Sequence, residues 1–238
     1  MTAFSRTRLL LGSEAVEHLA LCHVCVFGVG GVGGYVAEAL ARTGIGALTL
    51  VDADVVDESN LNRQIIALRS TIGQPKVEVC AARIADINPA CRVTPLQLFY
   101  LPENAAAVNL QAFSFVADCI DTVAAKVEIA RRCAVLGVPL VSSMGAGGKL
   151  DPMGFRVSDI AKTHTDPLAK VMRRKLRDLD IPHLTCVWSP ELPIRPKTDT
   201  TAEPAATKTP PPSCAFTPAA AGLLIASHIV RSLIGETR

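Results

Sequence analysis

Apolar residues in this chain fall into short, nearly unbroken runs separated by longer amphipathic stretches. The runs at 22–27, 47–51 and 115–119 are rich in Val, Leu and Phe, and their length suits strands buried on both faces of a sheet. Two further strands are expected at 92–98 and 139–142. Between them, 33–43, 75–87, 102–111 and 123–136 read as helices, with Pro75 near the first turn of its own. An amphipathic helix with its lead-in is expected at 6–21 and a short one at 60–67. Regular alternation of strand and helix predicts an α/β fold, a doubly wound and mainly parallel Rossmann-like sheet.

The pattern changes after Met144-Gly145-Ala146-Gly147-Gly148. Residues 149–160 read as extended structure and 167–179 as a basic helix. Residues 189–214 are Pro/Thr-rich and nearly empty of large apolar side chains, as in a mobile loop or crossover segment. A closing helix is expected at 216–233. There is no internal repeat. The chain therefore divides into a core of residues 1–148 and a C-terminal elaboration of residues 149–238.

Composition changes this picture little. Hydrophobic residues make up 49% and aromatics 4%, an aliphatic bias that suits buried parallel strands. The net charge of +2 neither demands nor excludes nucleic acid, so a local basic cluster carries more weight than the total. The N-terminus lacks the apolar run and cleavage site of a secretory signal. The longest apolar tract, 215–229, contains His228 and falls short of the roughly 20 residues of a membrane helix. It reads as a buried helix, no membrane span is expected, and the expected location is cytoplasmic. The 8 cysteines then default to reduced, buried thiols. Cys22 and Cys25 have CxxC spacing, but they lack a second pair and run into the first strand, which argues against structural zinc.

The candidate chemistry begins at Gly28-Val29-Gly30-Gly31-Val32-Gly33. A glycine loop between strand and helix lets backbone amides approach phosphate at a helix N-terminus. Asp52 ends the next strand about twenty residues on, where it can accept from ribose hydroxyls. A dehydrogenase shares both features. Asn60, Arg63 and Gln64 shift the balance, because hydride transfer has no need of an arginine there. Adenylation does, since charge builds on the α-phosphate and the leaving pyrophosphate. Lys76 is a second cation at a helix start, and in isolation would read as an ordinary solvated lysine. Asp118 and Asp121 follow an apolar strand, at the crevice where a carboxylate can hold Mg2+. Asp121 also precedes a helix, and the less favoured reading makes it only the N-cap.

Taken together, GVGGVGG, VDADVVDESNLNRQ, IGQPKVEV and DCIDTVAAK resemble the ubiquitin-activating-enzyme superfamily of ATP-dependent adenylating enzymes (the ThiF, MoeB and HesA type). The motifs occur in that family's order over residues 8–148. Within the superfamily, ARTGIGALTLVDAD, INPACRV, GAGGKLDP and VSDIAKTHTDPLAKVMRRKLR resemble the bacterial branch of tRNA threonylcarbamoyladenosine dehydratases. The resemblance implies a phosphate loop of Gly28, Gly30, Gly31 and Gly33, with Asp52 on ribose and Asp54 at the same edge near metal or nucleotide. It implies phosphate contacts from Asn60, Arg63, Gln64 and Lys76, and Mg2+ at Asp121. Arg8 matches an arginine that reaches into the neighbouring subunit's ATP site, which implies a homodimer.

The basic helix, with Lys170, Arg173, Arg174, Lys175 and Arg177, fits a contact with tRNA phosphates as well as it fits a solvated face. Relatives use a cysteine near the crossover as a nucleophile. Here Cys186, and more weakly Cys214, are candidates, with buried structure the favoured reading of Cys186. Residues 189–214 depart from the branch's pattern, so substrate contacts there do not carry over. Two alternatives stand beside the tRNA reading: adenylation of a ubiquitin-like sulfur carrier, and an NAD-binding oxidoreductase. Docking of a cysteine-desulfurase or sulfur-acceptor system is left open.

Overall fold

The computed structural model describes residues 3–194, 196 and 211–236. Most of the 189–214 segment, namely 195 and 197–210, lies outside the described residues. Seven strands form one sheet: β1 (His23–Phe27), β2 (Ala47–Val51), β3 (Arg92–Leu96), β4 (Phe115–Asp118), β5 (Leu140–Ser143), β6 (Arg156–Asp159) and β7 (Thr185–Trp188). Their order is β3-β2-β1-β4-β5-β7-β6. All pairings are parallel except that of β6 with β7. Chain direction around the sheet reverses between β1 and β4, which opens a crevice at the carboxyl ends of the central strands.

The central strands are buried along their length, as the apolar runs require. Among the described residues there are seven α-helices: α1 (Ser5–Leu11), α2 (Ser13–Leu21), α3 (Gly33–Thr43), α4 (Lys76–Ile87), α5 (Val123–Leu136), α6 (Pro167–Arg177) and α7 (Phe216–Leu233). Side chains alternate across β1, so Val24 and Val26 pack on one face with residues of α3, α4 and α7. Cys25 and Phe27 pack on the other with α5. A third apolar cluster joins α6 to β7 through Met172, Leu176, Cys186 and Trp188. The edge strand β3 carries Pro95, where the missing N–H costs no ladder bond.

Several expected elements differ in detail. The single helix expected over 6–21 is two, because Gly12 adopts φ +87° and breaks it. The helix expected at 60–67 is a 3-10 turn, Glu58–Asn60, followed by further turns. Asp57 and Asn60 cap each other's backbone amides there and hold the chain out of α geometry. The helix expected at 102–111 is likewise two 3-10 segments, Pro102–Ala107 and Leu110–Ala112. Arg132 takes the carbonyls of Ala105 and Val108 that an α-helix would use, while Asn104 and Asn109 capture nearby amides. Of the extended stretch expected at 149–160, only β6 is strand. Asp151 caps a turn at Pro152–Gly154 before it. Strand β7, which falls outside every expected element, inserts between β5 and β6 and so carries the sheet into the C-terminal part of the chain.

The 18 residues of α7 make it the one described helix long and apolar enough to cross a membrane by length and composition. Ala221, Ile225 and Ile229 on it are fully buried against the sheet.

Candidate active site

A cavity of about 460 Å³ opens at the carboxyl ends of β1, β2 and β4. Its floor is the glycine loop between β1 and α3. Gly28 sits at φ +81°, and a Cβ there would press on Ile120 and the Cys119 backbone at 2.9–3.0 Å. A Cβ on Gly33 would lie 1.7 Å from the Gly28 carbonyl oxygen, so the turn closes only with glycine at that position. Gly30 and Gly31 have a different duty. They line the cavity, a Cβ on Gly30 would meet nothing closer than 3.6 Å, and their bareness leaves room for a ligand to approach the backbone and the N-terminus of α3.

Asp52, at the end of β2, braces this floor. Its Oδ2 accepts from the Val29 amide at 2.8 Å and its Oδ1 from the Asp54 amide at 2.9 Å. Lone pairs remain on both oxygens for ribose hydroxyls. Asp54 also lines the cavity, and its Oδ2 accepts from Lys76 Nζ at 2.6 Å. Lys76 opens α4, its side chain only 6% exposed. An ammonium this buried is oriented before any phosphate arrives.

Asn60, Arg63 and Gln64 line the opposite wall. Asn60 and Gln64 are buried. The Gln64 Oε1 atom is buried without a hydrogen-bond partner among the described residues. Arg63 Nη1 donates to the Ser59 carbonyl at 2.7 Å and to Asn62 Oδ1 at 2.9 Å. Asp121 stands across the cavity on the loop after β4. The N-cap of α5 is Thr122, so Asp121 is not a helix cap, and its exposed carboxylate has no recorded partner among the described residues.

Two sequence candidates lie elsewhere. Arg8 is on α1, outside this cavity, in a loose ion pair with Glu17 at 3.7 Å. Asp118 is turned inward and 1% exposed. Its Oδ2 pairs with Lys126 Nζ at 2.8 Å and accepts from Ser142 Oγ at 2.6 Å, while Oδ1 is buried without a hydrogen-bond partner among the described residues. Lys126, absent from the sequence expectations, is fully buried and also donates to the carbonyls of Ile120 and Ser143. It ties the two loops that flank the cavity at the ends of β4 and β5. A signal was legible: Lys126 falls in helical register with the buried Ile129, Ala130 and Cys133 of α5, a face on which a lysine needs a buried partner.

Cys186 is fully buried in β7, and burial pushes its pKa up to about 12, far from a thiolate at neutral pH. Cys22 and Cys25 pack into apolar clusters on opposite faces of the sheet, so their sulfurs do not converge on a common ion. Cys214 Sγ lies 3.3 Å from Thr217 Oγ1. On α6, Lys170, Arg174, Lys175 and Arg177 are exposed, whereas Arg173 is half-buried and donates to the Thr163 carbonyl and hydroxyl. The α6 N-cap, Asp166, accepts from the Gly145 amide at 3.0 Å, which links this helix to the loop carrying Ala146 and Gly147 of the cavity.

A strand–glycine loop–helix cradle with a bracing aspartate and two cations defines a nucleotide-phosphate site on a doubly wound sheet. The chain belongs to the ThiF family, whose model matches residues 4–238. It is 46% identical over 241 residues to tRNA threonylcarbamoyladenosine dehydratase of Bacillus subtilis, covering 98% of this chain and 95% of that one. It is also similar to the crystal structure of Escherichia coli tRNA N6-threonylcarbamoyladenosine dehydratase in complex with AMP. That match has a TM-score of 0.89 and 39% identity, and covers 98% of this chain and 94% of the other. The ATP complex of the same E. coli enzyme matches with a TM-score of 0.87 and 38% identity, covering 98% and 94%.

Proposed function

We propose that this protein is an ATP-dependent tRNA-modifying enzyme that adenylates the carboxylate of N6-threonylcarbamoyladenosine and promotes its dehydrative cyclisation. The observation that carries the reading is the convergence of Arg63 and Lys76 on a cavity floored by a bare glycine loop. Two cations there suit a reaction in which charge grows on phosphate. NAD chemistry offers them no role. Full-length likeness to dehydratases favours the tRNA acceptor over a sulfur-carrier protein.

In the first step a substrate carboxylate oxygen attacks the α-phosphorus of ATP. Pyrophosphate leaves and an acyl adenylate remains. In the second, a nucleophile within the same modification attacks the activated carbonyl, AMP departs with the former carboxylate oxygen, and the nucleophile loses its proton. The substrate has then lost one water. Gly28, Gly30, Gly31 and Gly33 shape the phosphate cradle, and Asp52 orients the ribose. Asn60, Gln64, Arg63 and Lys76 hold the phosphates, with Asp54 keeping the Lys76 ammonium in place. The free carboxylate of Asp121 fits an Mg2+ ion beside the phosphates, where the ion would neutralise leaving-group charge.

Residues 1–148 would thus carry nucleotide chemistry and residues 149–238 the tRNA side, with the exposed cations of α6 on the tRNA backbone. A homodimer would let Arg8 of one copy reach the ATP site of the other. The cytoplasm, where tRNA is modified, is the expected location. The test is a comparison of acceptors. AMP formation with threonylcarbamoylated tRNA, and none with unmodified tRNA or a ubiquitin-like carrier ending in Gly-Gly, supports the reading. AMP formation that needs the carrier and ignores tRNA overturns it.

A further inference from the structure

Arginine has five N–H donors, and how they are shared decides what remains for a ligand. Both N–H groups of Arg63 Nη1 are taken, one by the Ser59 carbonyl at 2.7 Å and one by Asn62 Oδ1 at 2.9 Å. Among the described residues no acceptor is recorded for Nε or Nη2. These form the side-on fork that matches two phosphate oxygens at once. The arginine stem passes the phosphate loop, its Cγ only 3.6 Å from where a Gly31 Cβ would stand. The free fork is therefore held beside the bare backbone of the cradle.

Asn62 does more than occupy Nη1. Its amide is oriented from the other side, because Nδ2 donates to the Ser213 carbonyl at 3.1 Å. Ser213 belongs to a short segment leading into α7 that walls the cavity with Pro211 and Pro218. That segment is anchored in turn where the Gly148 amide donates to the Pro212 carbonyl at 2.6 Å. One side-chain amide thus bridges the phosphate-facing arginine to the C-terminal wall of the same cavity, 151 residues away in sequence.

We infer that Asn62 is a positioning residue for adenylation: accepting from Arg63 and donating to Ser213, it turns the free guanidinium fork toward the ATP phosphates. This rests on the ATP-binding part of the proposed function and not on the identity of the acceptor. Asn62 is exposed, so its loss should leave the core intact.

The experiment is a double-mutant cycle on the full chain with Asn62→Ala, Arg63→Ala and the pair. It is read by ATP binding at equilibrium and by the rate of AMP formation, with thermal midpoints recorded for each variant. Asn62→Ser runs in parallel should the alanine variant fold poorly. The expected result is a loss of ATP affinity of roughly three- to tenfold for Asn62→Ala, the worth of one net hydrogen bond, with an unchanged midpoint. In the Arg63→Ala background the same substitution should cost nothing further. Wild-type affinity in Asn62→Ala, or losses that multiply in the pair, would overturn the inference. ATP binding requires no acceptor, so a failure of the tRNA reading would appear only in AMP formation and leave the binding cycle readable.

Discussion

At the scale of residues, the site divides into groups that line the cavity and groups that hold them. The first kind was legible in the sequence because it is contiguous. Asn60, Arg63 and Gln64 lie within one turn-rich stretch, and the glycine loop is a single run. The second kind was not, because its partners are brought together only by the sheet. Lys126 and Asp118 are near in sequence, but their inward rotation depends on β4 and α5 packing face to face, and Ser142 is 24 residues beyond Asp118. A lysine near a helix start reads as solvated until its register with Ile129 and Cys133 is weighed. Replacing Lys126 with Met should strand the Asp118 carboxylate in the core and cost about 3–5 kcal/mol. Adding Asp118→Asn should restore part of that loss. Urea unfolding checks both, and a midpoint unmoved by Lys126→Met would show that the pair does not hold the fold.

At the scale of elements, periodicity located the central strands and their helices well and misread the segments governed by side-chain capture of backbone groups. Residues 102–111 have the alanine content of a helix, yet Arg132 withdraws two of its carbonyls. Such competition from another part of the fold leaves no mark on a local pattern. Strand β7 was missed for a different reason. It is only four residues long, and its apolar character is explained only by the cluster under α6. That helix shows a clean division of faces, with Ala169, Met172 and Leu176 buried and Lys170, Arg174, Lys175 and Arg177 outward. Exchanging the four outward cations for Gln should leave thermal stability within experimental error and weaken tRNA binding. The dependence of binding on salt should flatten, by roughly 0.9 in log–log slope per lost contact with duplex phosphate. An unchanged slope would assign these charges to solvent.

At the scale of the whole molecule, the doubly wound topology explains why residues scattered from 28 to 218 meet at one crevice. The order of strands creates the crevice, the glycine loop fills its floor, and the start of α7 returns to wall it. Arg8 is a site candidate that this chain does not bring there. On α1, Leu9 and Leu10 beside it are 86% and 82% exposed, as befits a surface that a second copy would cover. If Arg8 serves the neighbouring copy, subunits carrying Arg8→Ala and subunits carrying Arg63→Ala should complement one another. Random pairing would leave one intact site in each mixed dimer, or roughly a quarter of wild-type activity. Mixtures no more active than the two variants alone would place Arg8 outside the reaction.

If ATP is consumed to dehydrate a modified adenosine in tRNA, the two products must appear together. The most direct measurement follows AMP and the nucleoside together. Purified protein is incubated with ATP, Mg2+ and threonylcarbamoylated tRNA, and the tRNA is then digested for mass analysis of its nucleosides. One AMP is expected for each modified nucleoside converted, each conversion removing the mass of one water. AMP release with the nucleoside unchanged, or nucleoside conversion without ATP, would contradict it.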